Sequence, residues 1–310
     1  MTRSCIRKSP LSARLTVIVP TYRRSDMLKR AIDSVLDQDE APRILVVDDG
    51  SQPPARLHRT HPALRLVRIA RNSGGAEARN FGVENALTPW ITFLDDDDEW
   101  LSGTAALYDE LLSVEPETDL CFVSCIEVVG PKGERLEERR AHSRKKGEAW
   151  FLEPTPAGSS HLTKQTFVIP TLLYRQIGGF DPNLESRIHS ELSLRLNQAA
   201  DIQAIDRPTY RLHKHDRAQV SKSPAKRHRS FLYIWHKHQT AMKTHPVESA
   251  RWAQDHARRL CEEGSVLPAM HALWLAFRQS PRSAKSSGRI VASALRSRIF
   301  AAFSRSANPK

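Results

Sequence analysis

Cysteine is scarce in this 310-residue chain: Cys5, Cys121, Cys125 and Cys261 are scattered, and the one close pair has three residues between its members inside an apolar run. That spacing suits neither a zinc site nor a disulfide framework, so a reducing, cytoplasmic setting is expected. Long hydrophobic runs are also missing. None approaches the roughly 18 apolar residues of a membrane-spanning helix, so any membrane attachment should be peripheral, at the inner face of the cytoplasmic membrane. Residues 1–14 carry Arg3, Arg7, Lys8 and Arg14 but lack the apolar stretch of a secretory signal, and they read as a basic tail. No unit recurs in three or more copies, which argues against a solenoid.

Acidic residues are outnumbered, 35 against 47 Lys+Arg, and the deficit is local. Residues 1–206 hold 30 acidic and 26 basic side chains, whereas residues 207–310 hold 5 and 21. A basic last third attracts nucleic acid, anionic lipid headgroups or acidic glycan, and charge alone does not choose among them. No recognisable nucleic-acid-binding module accompanies it, so a nucleic-acid partner is not expected.

The chain has ample material for a core, with 40 % hydrophobic residues. Residues 15–19 form a compact apolar run stopped by Pro20. Ser25 then stands where it can cap a helix whose apolar positions are Leu28, Ala31, Ile32, Val35 and Leu36. Further apolar runs at 44–47, 64–69 and 91–94 alternate with helical patterns, including one near 76–86. Strands without alternation, separated by helices, predict an α/β fold with a mostly parallel sheet covered on both faces; ligands gather beyond the strand C-termini in such sheets. A helix near 104–113, a strand at 120–129 and a charged hairpin or loop at 134–146 follow. Residues 250–263 and 267–278 read as a helix pair broken at Gly264.

The polar motifs fall at the predicted strand ends. The fourth run ends in Asp95-Asp96-Asp97-Asp98-Glu99, and four adjacent like charges repel unless something cationic joins them. Oxygen-only ligands on one loop suit Mg²⁺ or Mn²⁺ carrying substrate phosphates. Taken alone, the run also reads as a solvated acidic turn capping the next helix, and Asp48-Asp49-Gly50 alone reads as a tight turn.

Taken in order, Pro20-Thr21-Tyr22-Arg23, Val46-Val47-Asp48-Asp49-Gly50-Ser51, Gly74-Gly75-Ala76-Glu77-Ala78-Arg79-Asn80, Phe93-Leu94-Asp95-Asp96-Asp97-Asp98, Ile177-Gly178-Gly179-Phe180-Asp181 and Leu192-Ser193-Leu194-Arg195-Leu196 resemble the family 2 glycosyltransferases. The likeness spans residues 15–220. It implies a GT-A, Rossmann-like fold and an inverting transfer of sugar from a nucleotide-diphosphate donor to a glycan or glycolipid hydroxyl, with Mn²⁺ or Mg²⁺ as cofactor. By the same resemblance, Pro20, Thr21 and Tyr22 line the nucleotide base, Asp48 and Asp49 bind the base or ribose, and Arg79 offsets nucleotide charge. Asp95 and Asp97 match the Asp-x-Asp metal motif, Asp98 and Glu99 act as capping or supporting groups, and Gly178, Gly179 and Asp181 form the acceptor-side loop. His213 approaches the metal, with His215 as substitute; each alone also reads as a surface histidine.

The chain departs from the family at the general base. Ile188 and His189 stand where a Glu-Asp pair is usual. His189 is the first candidate, because an imidazole titrates near neutrality, and Glu191 is the second. The missing pair also motivates a rival reading as a nucleotide-sugar-binding scaffold. A nucleotidyltransferase is a weaker rival, because the loop after the first strand is not Gly-rich. The domain reading is a basic tail at 1–14, a glycosyltransferase domain at 15–220, a helical extension at 221–283 and a basic amphipathic tail at 284–310. In that last segment Ile290, Val291, Leu295, Ile299, Phe300 and Phe303 lie among Arg289, Arg296, Arg298 and Arg305. Such a stretch either binds an anionic membrane surface or packs on the domain.

Overall fold

The computed structural model describes residues 9–112, 119–148, 164–214 and 223–282; the 284–310 segment and His215 lie outside the described residues. The chain divides into two compact units.

The first unit is built on one mixed sheet. Strand β1 (Leu15–Thr21) lies between β2 (Arg43–Asp48) and β4 (Trp90–Phe93), with β3 (Leu64–Arg68) beyond β2, all parallel. The apolar runs of β1, β2 and β4 are buried almost throughout, as strands covered on both faces must be, whereas β3 at the edge is half exposed. Helix α2 (Ser25–Leu36) buries the five apolar positions expected of it. It starts one residue earlier than a Ser25 cap requires: Arg24 occupies the cap position, and no side chain caps the turn. Helix α3 (Gly75–Glu84) lies tight against β1, since a Cβ on Gly82 would come within 2.5 Å of the Ile18 side chain.

Beyond β4 the sheet changes character. It continues through β8 (Val168–Pro170), β6 (Leu120–Val129), β9 (Asp201–His213) and the two-residue β5 (Glu99–Trp100), with β7 (Arg135–Arg139) hairpinned onto β6. Strand β8 runs antiparallel to both β4 and β6, whereas β6 and β9 are parallel. The 13-residue β9 was not anticipated from sequence; its polar, half-exposed residues hide a strand whose register shifts between Ser124 and Ile126 of β6. Helices α4 (Thr104–Leu111), α5 (Thr171–Gln176) and α6 (Ile188–Ala199) complete this unit. A short α1 (Leu11–Arg14) also belongs to it: Leu11 is buried, and Arg14 donates to the Leu112 carbonyl at 2.8 Å. Leu11 and Arg14 are therefore packed into this unit, unlike the residues of a free tail.

The second unit comprises α7 (Pro224–Lys237), α8 (Gln239–Thr244), α9 (Pro246–Glu262) and α10 (Val266–Gln279), together with residues 185–187. Its core is aromatic. Phe231 stacks on His256 at 4.2 Å between centroids and meets Trp252 at a tilt at 4.6 Å, while the half-buried Arg187 donates to His256 Nδ1 at 2.9 Å. Helices α9 and α10 join at Gly264, where φ is +83°. Among the described residues, no helix is long and apolar enough to cross a membrane.

Candidate active site

The functional side chains collect past the C-terminal ends of β1, β2 and β4. The loop after β4 carries Asp95 to Asp98, and alternate residues turn to different partners. Asp96 is buried, accepts from Thr21 Oγ1 at 2.8 Å, and is pushed by burial up to about 6. Asp95, Asp97 and Asp98 converge: one carboxylate oxygen from each lies within 4.8 Å of the others. Burial, with Asp95 and Asp97 alongside, pushes the Asp98 carboxyl well above its usual range. Three hard oxygen donors crowded to the point of mutual repulsion fit a divalent cation, which would relieve that repulsion.

The surroundings supply partial compensation. Arg24 donates to Asp97 at 2.8 Å and to Asp96 at 3.1 Å. Arg79, in the first turns of α3, is ion-paired with Asp95. Burial would raise Asp95, but Arg79, then His189 and Arg24, outweigh it and hold the carboxyl below its ordinary value. Tyr210 on β9 accepts from the Asp95 amide at 3.2 Å and donates to Asp98 at 2.8 Å, and the His213 amide donates to Asp98 at 2.9 Å. Asp98 thus anchors β9 as well as joining the carboxylate group.

His213 departs from the expectation that it approaches a metal. Its Nε2 lies 2.5 Å from Glu99 Oε1, and that hydrogen bond, ahead of burial, holds Glu99 below its usual value. The histidine contributes its backbone to the site, and its ring is spent on Glu99.

On the nucleotide side, Asp49 is buried and accepts the amides of Ser73 and Gly74, both at 2.8 Å. Asp48 accepts those of Ser51 and Ala55, at 2.9 and 3.0 Å. These carboxylates shape the loops that the resemblance assigns to base and ribose. Pro20 pairs with Val47 in the sheet, Thr21 spends its hydroxyl on Asp96, and the half-buried Tyr22 ring lies 5.1 Å from the Arg23 guanidinium.

The loop of Gly178 to Asp181, which the resemblance assigns to the acceptor side, is gripped from two directions. Asn80, next to Arg79 on α3, donates to the Phe180 carbonyl at 2.8 Å and accepts the Phe180 amide at 2.9 Å. Arg195 reaches the carbonyls of Ile177 and Gly179 while it is paired with Glu191. Gly179 has φ of +64°, and a Cβ there would sit 2.6 Å from Asn80 Oδ1, so a larger residue would wedge the grip open. Gly178, beside it, is also left-handed and is exposed, while Asp181 accepts from Asn183 at 3.0 Å. His189 packs edge-on against Phe180 at 5.1 Å, half-buried at the start of α6. Glu191 is fully buried, and its carboxylate is paired with Arg195.

Sequence reasoning gave no role to Arg24, Asn80, Arg195 or Tyr210. Asn80 had a visible signal, since an asparagine beside a buried arginine in the first turns of a helix offers both a donor and an acceptor to a neighbouring backbone.

Residues 16–163 match the profile of glycosyl transferase family 2. This segment is a family 2 glycosyltransferase domain. An uncharacterized glycosyltransferase of Rickettsia typhi is 24 % identical over 182 residues, covering 58 % of this chain and 57 % of that protein. The succinoglycan biosynthesis protein ExoO of Rhizobium meliloti is 29 % identical over 199 residues, 61 % of this chain and 52 % of its own length. The chain thus spans a little over half of these curated relatives. Among solved structures, S. aureus TarS 1–349 in complex with UDP-GlcNAc superposes with a TM-score of 0.54 at 16 % identity, covering 89 % of this chain and 92 % of that one. That likeness supports the GT-A fold expected for the domain, with helices following it. The matched segment stops short of His189, Arg195 and Tyr210, which come from α6 and β9.

Proposed function

We propose that the protein is a metal-dependent, inverting glycosyltransferase that moves a sugar, a hexose or a related residue, from a nucleotide-diphosphate donor to a hydroxyl of a cell-envelope glycan or glycolipid, of the lipopolysaccharide or capsule kind. The carrying observation is the convergence of Asp95, Asp97 and Asp98 beside His189, at the C-terminal edge of the sheet. Asp95 and Asp97 form the Asp-x-Asp pair, joined by Asp98, and these three carboxylates would hold Mn²⁺ or Mg²⁺. When bound, the ion supplies Lewis-acid stabilisation of the departing diphosphate. Thr21, Tyr22, Asp48 and Asp49 shape the nucleotide side, and Arg24 and Arg79 stand ready to meet phosphate charge. The Gly178–Asp181 loop, held by Asn80 and Arg195, presents the acceptor.

His189 accepts the proton of the acceptor hydroxyl. The oxygen attacks the anomeric carbon, whose bond to the diphosphate oxygen breaks on the opposite face, and that bond's electrons leave with the nucleotide. Of the two candidate bases, the half-buried imidazole beside the carboxylates is favoured over Glu191, which is fully buried and paired with Arg195. The basic segment 284–310 would hold the enzyme at the inner face of the cytoplasmic membrane, where an envelope acceptor is built.

Relatives in polysaccharide biosynthesis support the acceptor class, and the UDP-GlcNAc bound to S. aureus TarS makes UDP-sugars the first donors to test. The test is nucleotide release from a panel of nucleotide-sugars with Mn²⁺, with Mg²⁺ and with chelator. Metal-dependent release with one donor is expected. Saturable donor binding without release or transfer, in the presence of envelope glycolipid extract, would overturn the enzyme in favour of the scaffold reading.

A further inference from the structure

Helix α10 wears its side chains in the reverse of the usual arrangement. Its buried positions include Ala269, Ala272 and Ala276, with Leu275, whereas Leu267, Met270, Trp274 and Phe277 point outward with 79, 58, 50 and 57 % of their surface exposed. Their spacing of three, four and three residues places them on one side of the helix, as a continuous apolar stripe about two and a half turns long. Soluble monomers seldom show so many large apolar side chains in one patch unless something covers it.

The charge of the sequence that follows the stripe indicates what covers it. From Ser265 to the last residue the sequence contains eight Lys and Arg and no Asp or Glu. Arg278 and Arg282, at the C-terminal end of the stripe, are exposed, and the Arg278 guanidinium lies 4.8 Å from the Trp274 ring centroid. Trp274 is therefore both apolar and engaged with a cation, the condition of a ring at a water–hydrocarbon boundary. An apolar sector with cations at its C-terminal end, followed by a basic sequence without carboxylates, is the pattern of a helix that lies in the plane of an anionic bilayer surface.

We infer that α10 is an interfacial anchor whose Leu267–Met270–Trp274–Phe277 stripe inserts into the headgroup–acyl boundary of an anionic lipid surface. The anchor is separate from the membrane attachment proposed for residues 284–310, and it rests on the geometry of the helix rather than on any glycosyl transfer. Charge and apolar contributions differ in their salt response: attraction between charges is screened, while apolar insertion persists.

The test uses the full-length protein with vesicles of phosphatidylethanolamine containing about a third phosphatidylglycerol, and with phosphatidylcholine vesicles as control. Co-sedimentation with the anionic vesicles should survive roughly 0.5 M salt in wild type. The double variant Trp274→Gln/Phe277→Gln should bind at least about tenfold more weakly at that salt, because bound area scales with inserted apolar surface. Removal of residues 284–310 should weaken binding yet leave a salt-resistant part that the double variant then abolishes. A second measurement guards against a misfolded variant: brominated lipid should quench wild-type fluorescence, and Trp274→Phe alone should remove that quenching. Equal high-salt binding of the double variant and wild type, or quenching unchanged in Trp274→Phe, would overturn the anchor. Self-association in lipid-free buffer that the double variant abolishes would assign the stripe to a second copy of the chain instead.

Discussion

At the scale of single residues, the site separates side chains that share a formal charge by what each oxygen already does. Asp97→Ala removes one of three convergent carboxylates whose partners remain, so metal-dependent donor binding measured by calorimetry in Mn²⁺ should be lost, with little change in melting temperature. Asp98→Ala should behave differently. It orphans the Tyr210 hydroxyl and the His213 amide, both of which depend on that carboxylate, and leaving such buried donors unmet costs about 1–3 kcal/mol each; the urea midpoint should fall along with donor affinity. The base assignment is tested by a similar contrast. His189→Ala should lower kcat by roughly 10²- to 10⁴-fold with donor affinity and fold stability nearly intact. Glu191→Gln breaks a buried ion pair with Arg195, a change that costs about 3–5 kcal/mol where one partner is removed, so any loss of rate there should come with a loss of stability. A rate loss in Glu191→Gln without destabilisation would hand the proton to Glu191. The motifs made Asp95 and Asp97 candidates from sequence, and the missing Glu-Asp pair made His189 one. They could not reveal that His213 turns to Glu99 or that Asp49 turns to the Ser73 and Gly74 amides, because both depend on loops and strands far apart in the chain.

Elements decide how firmly these groups are held. The parallel strands β1 to β4 and their helices were readable because burial on both faces gives an uninterrupted apolar run, which no loop imitates. Strand β9 was not readable: it carries Asp201, Asp206, Arg207 and Pro208 within its length, and its place is set by pairing with β6 rather than by its own pattern. The acceptor loop depends on α3 through one side chain. Asn80→Ala leaves the Phe180 carbonyl without its Asn80 donor, and hydrogen exchange at residues 178–181 should quicken markedly while the carboxylate group is undisturbed. The helical unit has its own sensitivity. Burial, with Arg187 and His228 adjacent, pushes His256 down to about 2, so the folded chain refuses a proton that the unfolded chain accepts near pH 6.5. Its contribution to stability is therefore complete above that pH and is lost as pH falls, at up to about 1.4 kcal/mol per pH unit. Urea unfolding at pH 7 and pH 5 should show the drop, and His256→Gln should flatten it.

For the whole molecule, charge is divided along the chain, with a slightly acidic first two-thirds and a strongly basic remainder. Deleting residues 284–310 should therefore leave turnover on a soluble acceptor largely intact while lowering the rate on acceptor embedded in anionic vesicles, and added salt should erase the difference between the two proteins. The reverse, an equal loss on both acceptors, would place the segment in the catalytic domain. The chemistry itself is joined by one peptide bond of α3: Arg79 faces Asp95, and Asn80 beside it grips Phe180. A helix barely flexes over a single residue, so a ligand that draws Arg79 away from Asp95 also moves the rim against which the second substrate must rest. The two substrates should then arrive in a compulsory sequence, nucleotide-sugar before glycan. Initial-rate patterns with a dead-end acceptor analogue should read as competitive against the acceptor and uncompetitive against the donor, and Asn80→Ala should turn the uncompetitive pattern noncompetitive as arrival becomes random.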